Sequence, residues 1–354
     1  MKLCAHFGVC GGCVSQDMDP SAYATAKRQI VVDALTRAGV EGDVQAIISV
    51  APGTRRRAVL KAHKHDGRID LGFHAARTHS IVDMQECLLI TPALAAVVAP
   101  LREMLDRIFV DGHQADLHLT DTETGLDISV KSNAKLTPAI TAELARSASR
   151  LNVARIIWKA EIALELAAPT VRFGGVAVRI PPEAFLQASY EGEALLQARV
   201  LEFLKGAKHI ADLFAGCGTF TLPLAQASKV HAVELEAVPL LALAAAVRGA
   251  TGLKPVSTEK RDLFKLPLGP VDLKPYDAVL LDPPRAGAAA QVSELARSKI
   301  RRIAYVSCNA DSFARDAAVL INAGYRMGPV TPIDQFLWSS HIELVTGFER
   351  DRDA

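Results

Sequence analysis

Three short runs in the second half of the chain carry residue types that could do chemistry together. The first, Asp212-Leu213-Phe214-Ala215-Gly216-Cys217-Gly218-Thr219, is glycine-rich, and the carboxylate Glu234 closes the next apolar run. Glycines let a backbone turn tightly and approach a ligand, and a carboxylate one strand later can accept both hydroxyls of an adenosine ribose. Gly-x-Gly without a third glycine leaves S-adenosylmethionine, a dinucleotide and an ordinary αβ turn as readings. The second run, Leu281-Asp282-Pro283-Pro284-Arg285, ends an apolar strand; its prolines stiffen the loop and would hold Asp282 and Arg285 in fixed directions. The third, Tyr305-Val306-Ser307-Cys308-Asn309-Ala310, sets a thiol at a strand end just before a helix. A helix N-terminus and a nearby cation would favour its thiolate, although a lone Cys there also fits a small buried residue, as Cys217 does.

A separate group of cysteines opens the chain. Cys4, Cys10 and Cys13 are joined by a distant fourth, Cys87. Six cysteines in 354 residues do not make a disulfide scaffold. Four thiolates suit tetrahedral zinc or an iron–sulfur cluster, and zinc sites more often pair two Cys-x2-Cys knuckles. The spacing also departs from the Cys-x3-Cys-x2-Cys of radical enzymes.

These residues need elements to position them. From about His209 onward strand-like and helix-like segments alternate: strands at 210–214, 230–233, 278–281, 303–307 and 342–348, helices at 219–227, 236–249, 289–298 and 311–322. That alternation predicts a parallel, doubly wound sheet whose carboxyl edge would gather the three runs. The first half reads as α+β. A helix is expected from Pro20 to Gly39 with Ile30, Val31, Ala34, Leu35 and Ala38 on one side, and another over 92–110. Between them, two alternating runs around Asp66-Gly67 predict a β-hairpin. Short strands with one helix fill 115–180. The expected division is 1–180 and 181–354. The hairpin carries Arg55, Arg56, Arg57, Lys61, His63, Lys64, His65 and Arg68 with only Asp66 opposing, a patch that could bind phosphates or be a solvated face. Net charge is +1, so composition gives no global nucleic-acid signal. No targeting or membrane-spanning segment is read, which points to the cytoplasm and away from membranes.

Taken together, Asp-Leu-Phe-x-Gly-x-Gly, Val233-Glu234, Asp-Pro-Pro-Arg, Ser-Cys-Asn and the late His341-Ile342-Glu343-Leu344-Val345 resemble the RNA 5-methyluridine methyltransferases. The resemblance runs from the N-terminal cysteines to Val345. It implies a Rossmann-like S-adenosylmethionine-dependent α/β domain, an N-terminal α+β domain carrying a [4Fe–4S] cluster on Cys4, Cys10, Cys13 and Cys87, and a monomer. It also implies donor contacts from Gln187, Phe214, Thr219, Glu234, Asp262 and Asp282, with Thr219 where the family often has Asn. Cys308 is the implied nucleophile and Glu343 the implied base. Uracil carbon 5 is a weak nucleophile; thiolate addition at carbon 6 would activate it, and a base would then remove the carbon 5 proton. The target base would have to be flipped out, with Phe185 or Phe336 available to stack on it. The cysteine set and the lack of an N-terminal barrel domain resemble the branch acting on 23S ribosomal RNA; transfer RNA, or a non-catalytic iron–sulfur RNA-binding protein, are the alternatives. One departure stands out: where the family usually has Pro-His-Thr, this chain has Trp338-Ser339-Ser340.

Overall fold

The computed structural model describes residues 3–351. Among them the strands form a nine-stranded sheet, a seven-stranded sheet and a two-stranded ribbon.

In the larger sheet, the buried apolar strand His209–Leu213 lies between Lys229–Glu234 and Ala278–Leu281, parallel to both. Val256–Lys260 extends one side and Arg302–Ser307 the other, again in parallel. The predicted strands therefore form the expected parallel core. The Val256–Lys260 strand escapes the sequence reading because it is polar and exposed, an edge strand without an apolar run. Glu343–Glu349 joins antiparallel, with Ser307 opposite Leu344. That register sets Glu343 beside the residue that follows Ser307. The helix expected over 219–227 shrinks to one turn, Thr221–Leu224, interrupted by Pro223, which has no N–H to give.

The seven-stranded sheet begins with the predicted hairpin. Arg57–His65 and Arg68–His74 pair antiparallel, and Asp66 and Gly67 both take positive φ (48° and 71°), as a two-residue primed turn requires. Helices Pro92–Ile108 and Pro138–Ser147 cover one face. Strand alternation then sorts the basic run. Ala58, Leu60, Ala62 and Lys64 point inward; Arg57, Val59, Lys61 and His63 point to the open face. The basic patch is thus smaller than the sequence suggests. Lys64 is buried against Asp106, and Arg56, which precedes the strand, is fully buried.

Packing does not follow the division at residue 180. The helix Pro20–Arg37 presents the expected face, but Val31, Ala34 and Leu35 pack against Phe313 and Ala317 in the core of the second unit. Ile48–Ser49 then adds a strand to the large sheet beside Thr331–Asp334. Residues 20–50 therefore cross over and brace the second unit. The two sheets are clamped by Arg56, which donates to Gln187 O, pairs with Glu193 and lies 4.3 Å from the Tyr190 ring centre. Removing one partner of a buried pair strands the other charge. Arg56→Ala is expected to cost about 3–5 kcal/mol in urea unfolding; a loss under about 1 kcal/mol would show that the clamp contributes little.

Candidate active site

The carboxyl edge of the large sheet gathers the three runs. At the glycine loop, Phe214 takes φ 67°, Gly216 φ 55° and Gly218 φ 96°. A Cβ on Gly218 would come within 2.5 Å of Leu243, so only glycine fits there. Glu234 closes the loop: its Oε2 accepts from the Gly216 amide at 3.0 Å and its Oε1 from those of Leu235 and Glu236 at 2.7 and 3.1 Å. Held this way, the carboxylate keeps lone pairs for ribose hydroxyls. Phe214 and Phe264 rings lie 5.6 Å apart, and Asp262 accepts from the Phe264 amide. Phe264, half-exposed beside these groups, is a planar surface that the sequence reading missed. Thr219 is buried beneath the loop and its carbonyl accepts from Gln197. Asp212 is fully buried with Thr221 donating to it, and burial pushes its carboxyl up to about 7.

Next to this lies a cavity of about 390 Å³ between the two sheets. The large sheet contributes Cys308, Glu343 and Arg285; the open face of the smaller sheet contributes Arg57 and His118; the loop before the helix Tyr190–Leu204 contributes Phe185 and Gln187. Cys308 and Glu343, 35 positions apart in sequence, therefore share one chamber. Asn309 ties the chamber's loops together: its Oδ1 caps the following helix, and its Nδ2 donates to Arg285 O at 3.0 Å. Phe185 stands 68% exposed at the wall, with the Arg57 guanidinium 5.4 Å from its ring centre.

The expected thiolate is not what the chamber favours. Burial pushes the Cys308 thiol up to about 11, and the nearby Glu343 and Asp282 carboxylates push the same way. Arg285 opposes them only in part. One cation does not outweigh desolvation plus two anions. Burial also pushes Glu343 up to about 7, and Asp282 is raised well above the usual carboxylate range by burial, Glu343 and Asp212. Gln335, another residue missed at sequence level, donates to Glu343 Oε2 at 3.2 Å and to Gln187 Oε1 at 2.7 Å.

Cys4, Cys10, Cys13 and Cys87 line a second cavity of about 430 Å³ that shares Arg55, Val59, Phe336 and His341 with the first. Among the described residues no three His, Cys, Asp or Glu side chains converge on a single-ion site. The four thiols line one cavity without converging on a point. Backbone amides of His6 and Gly12 donate to the sulfurs of Cys4 and Cys10, and those of Leu89 and Ile90 to Cys87, whose thiol burial nevertheless raises.

Comparison with known proteins shows the family and the fold. Residues 176–350 match the tRNA (Uracil-5-)-methyltransferase family. An uncharacterized RNA methyltransferase of Brucella suis is 43% identical over 99% of this chain and 84% of its own. The 23S rRNA (uracil(1939)-C(5))-methyltransferase RlmD of Pectobacterium atrosepticum is 30% identical over 98% of this chain and 80% of its own. Among solved structures, the Pyrococcus abyssi tRNA (uracil-54, C5)-methyltransferase bound to S-adenosyl-L-homocysteine superposes with a TM-score of 0.77 at 23% identity, covering 96% of this chain and 84% of that one.

Because only the thiolate is alkylated, reaction of Cys308 with iodoacetamide in the ligand-free protein should rise about tenfold per pH unit between about pH 8 and 10. Peptide mass spectrometry reads this directly. A rate already flat near neutral pH would show a thiolate at rest.

Proposed function

The chain belongs to the RNA uracil-5-methyltransferase family and is an S-adenosylmethionine-dependent enzyme, and from that premise we propose that it methylates carbon 5 of a uridine in 23S ribosomal RNA through covalent attack by Cys308. One observation carries the mechanism: the chamber that brings Cys308, Glu343 and Arg285 together opposite an exposed aromatic wall. Similarity to RlmD along nearly the whole chain supports ribosomal RNA as the substrate.

The methyl donor binds at the glycine loop, with Glu234 on its ribose, Asp262 and Phe214 at its adenine, Thr219 under the loop, and Gln187 and Asp282 toward its amino-acid end. The flipped uracil enters the chamber against Phe185. Cys308 gives up its proton to water at the cleft mouth; the donor's sulfonium charge joins Arg285 in favouring the thiolate, offsetting the two carboxylates. Sulfur then bonds to carbon 6, and the electron pair of the 5,6 double bond moves onto the carbon 4 carbonyl as an enolate. The enolate returns that pair through carbon 5 to the methyl carbon, whose bond to sulfur breaks and releases S-adenosylhomocysteine. Glu343 takes the carbon 5 proton, the double bond re-forms, and the Cys308 thiolate leaves. Burial that raises Glu343 to about 7 makes it a stronger base than a solvated carboxylate while leaving it half ionised near neutral pH. Arg57 and the exposed cations of the same sheet face hold the flanking phosphates. The reaction belongs in the cytoplasm, where ribosomal RNA is made.

The four cysteines fit a [4Fe–4S] cluster, which would tie the N-terminal loop to the residues around Cys87 and supply no step of the methyl transfer. Spacing around one cavity and amide donors to three of the sulfurs support that reading.

RNA carrying 5-fluorouridine should be trapped covalently, because the base cannot remove fluorine as it removes a proton. The adduct is expected to form with wild type and to vanish in Cys308→Ala; methylation surviving in that variant would exclude the thiol route. Parallel assays on 23S ribosomal RNA and transfer RNA decide the substrate. Glu343 works only when ionised, so product release should fall as pH drops through about 7. Anaerobically purified protein should carry about four iron and four sulfide per chain, lost in Cys13→Ser and Cys87→Ser; zinc in their place would overturn the cluster.

A further inference from the structure

We propose that Gln335 is a positioning residue of the methyl-transfer chamber: its one carboxamide aims both the base Glu343 and the side-chain amide of Gln187. This rests on Glu343 acting as the base.

The orientation is forced by a chain of hydrogen bonds. The Ala188 backbone N–H can only donate, and it meets Gln335 Oε1 at 3.0 Å. The other end of the carboxamide is therefore Nε2, with two protons to place. One goes to Glu343 Oε2 at 3.2 Å and one to Gln187 Oε1 at 2.7 Å. Because Gln187 receives at its oxygen, its own Nε2 must point the other way. That nitrogen is buried, unpartnered, and belongs to a side chain lining the chamber with Cys308. A buried unpaired amide is costly, so it awaits an acceptor oxygen on a bound substrate. One backbone N–H thus fixes the direction of two functional side chains.

The carboxamide is itself held firmly. It follows Asp334, which is fully buried, paired with Lys27 and bonded to Tyr23, so the backbone at this point is locked onto the N-terminal helix. Gly192 packs so closely beneath that a Cβ there would lie 2.8 Å from Gln335 Oε1. The titratable and charged groups around Glu343 are the Cys308 thiol, the Asp282 carboxyl, Arg285 and His341 from its own sheet's side and Arg55, Arg57 and His118 from the sheet across the cavity, besides the neutral Gln335. Gln335 is the neutral donor bonded to the carboxylate, and that bond favours the ionised form, against burial.

The test compares wild type, Gln335→Leu, Gln335→Glu and Glu343→Gln across pH. Glu343→Gln should accumulate covalently bound, methylated RNA, because release needs the base; without that accumulation the base assignment itself fails, whatever Gln335 does. Given it, Gln335→Leu should shift the acid limb of turnover upward by about one pH unit, lower kcat about fivefold at pH 7 and about tenfold well below it, and accumulate the same adduct partially. Gln335→Glu keeps an acceptor for Ala188 but sets a second carboxyl beside Glu343, and should shift the limb further. The Gln335→Leu/Glu343→Gln double variant should be no slower than Glu343→Gln alone. Should Gln335→Leu not fold, Gln335→Glu and thermal unfolding of both keep the question open to an answer. A limb at the wild-type pH in a folded Gln335 variant overturns the proposal.

Discussion

Everything in the chamber is governed by a crowding of acids in a place with little water. Burial raises Cys308, Glu343 and Asp282 alike; Glu343 adds to the rise at Asp282, and both carboxylates add to it at Cys308, where Arg285 offsets them only in part. A solvated carboxyl loses its proton below neutral pH and a thiol does so above it; here burial moves all three upward. At rest the Cys308 thiol keeps its proton, while Glu343 is only part-ionised near neutral pH. The fold contributes the walls that keep water scarce: two sheets facing each other across the cavity, joined by the buried Arg56–Glu193 clamp.

The loop from Phe336 to His341 shows how those walls are fixed. It departs from the pattern of the family, yet it is held. Lys27, buried on the N-terminal helix, pairs with Asp334 at 2.9 Å and donates to the carbonyls of Phe336, Ser339 and His341. Trp338 takes φ 58°, its amide donating to Tyr23 and its carbonyl accepting from Val14. The cysteine loop, the N-terminal helix and the wall of the reaction chamber are therefore one bonded unit. Arg55 sits where the two cavities meet, 5.8 Å from the Phe336 ring centre; burial disfavours its charge, and Cys87 and Cys13 oppose that only in part. Whatever orders the cysteines also orders the chamber.

Local patterns in the chain carried much of this. The Asp-Gly hairpin, the parallel core and the apolar face of the first helix each follow from short-range periodicity, and each is found. What local pattern cannot carry is partnership across the chain. Nothing near Val31 says that it will meet Phe313, and nothing near Arg56 says that it will be buried against Glu193 rather than face RNA. Gln335 is the clearest case: one polar residue before Phe336 has no local signal, and its role arises only where Ala188, Gln187 and Glu343 converge on it.

The sign of the Cys308 shift was illegible for the same reason. A helix N-terminus and an arginine after the neighbouring strand are visible in sequence and argue for a thiolate. The carboxylates that overrule them come from Leu281-Asp282 and from a strand that returns antiparallel, and desolvation belongs to the closed chamber. The outcome is better chemistry than a standing thiolate. A permanently ionised Cys308 would be open to oxidation and alkylation whenever the cleft was empty. A protonated one waits. On the mechanism proposed above, the donor's sulfonium would supply the missing cation, so that Cys308 would become a nucleophile only with a methyl group in place to be taken.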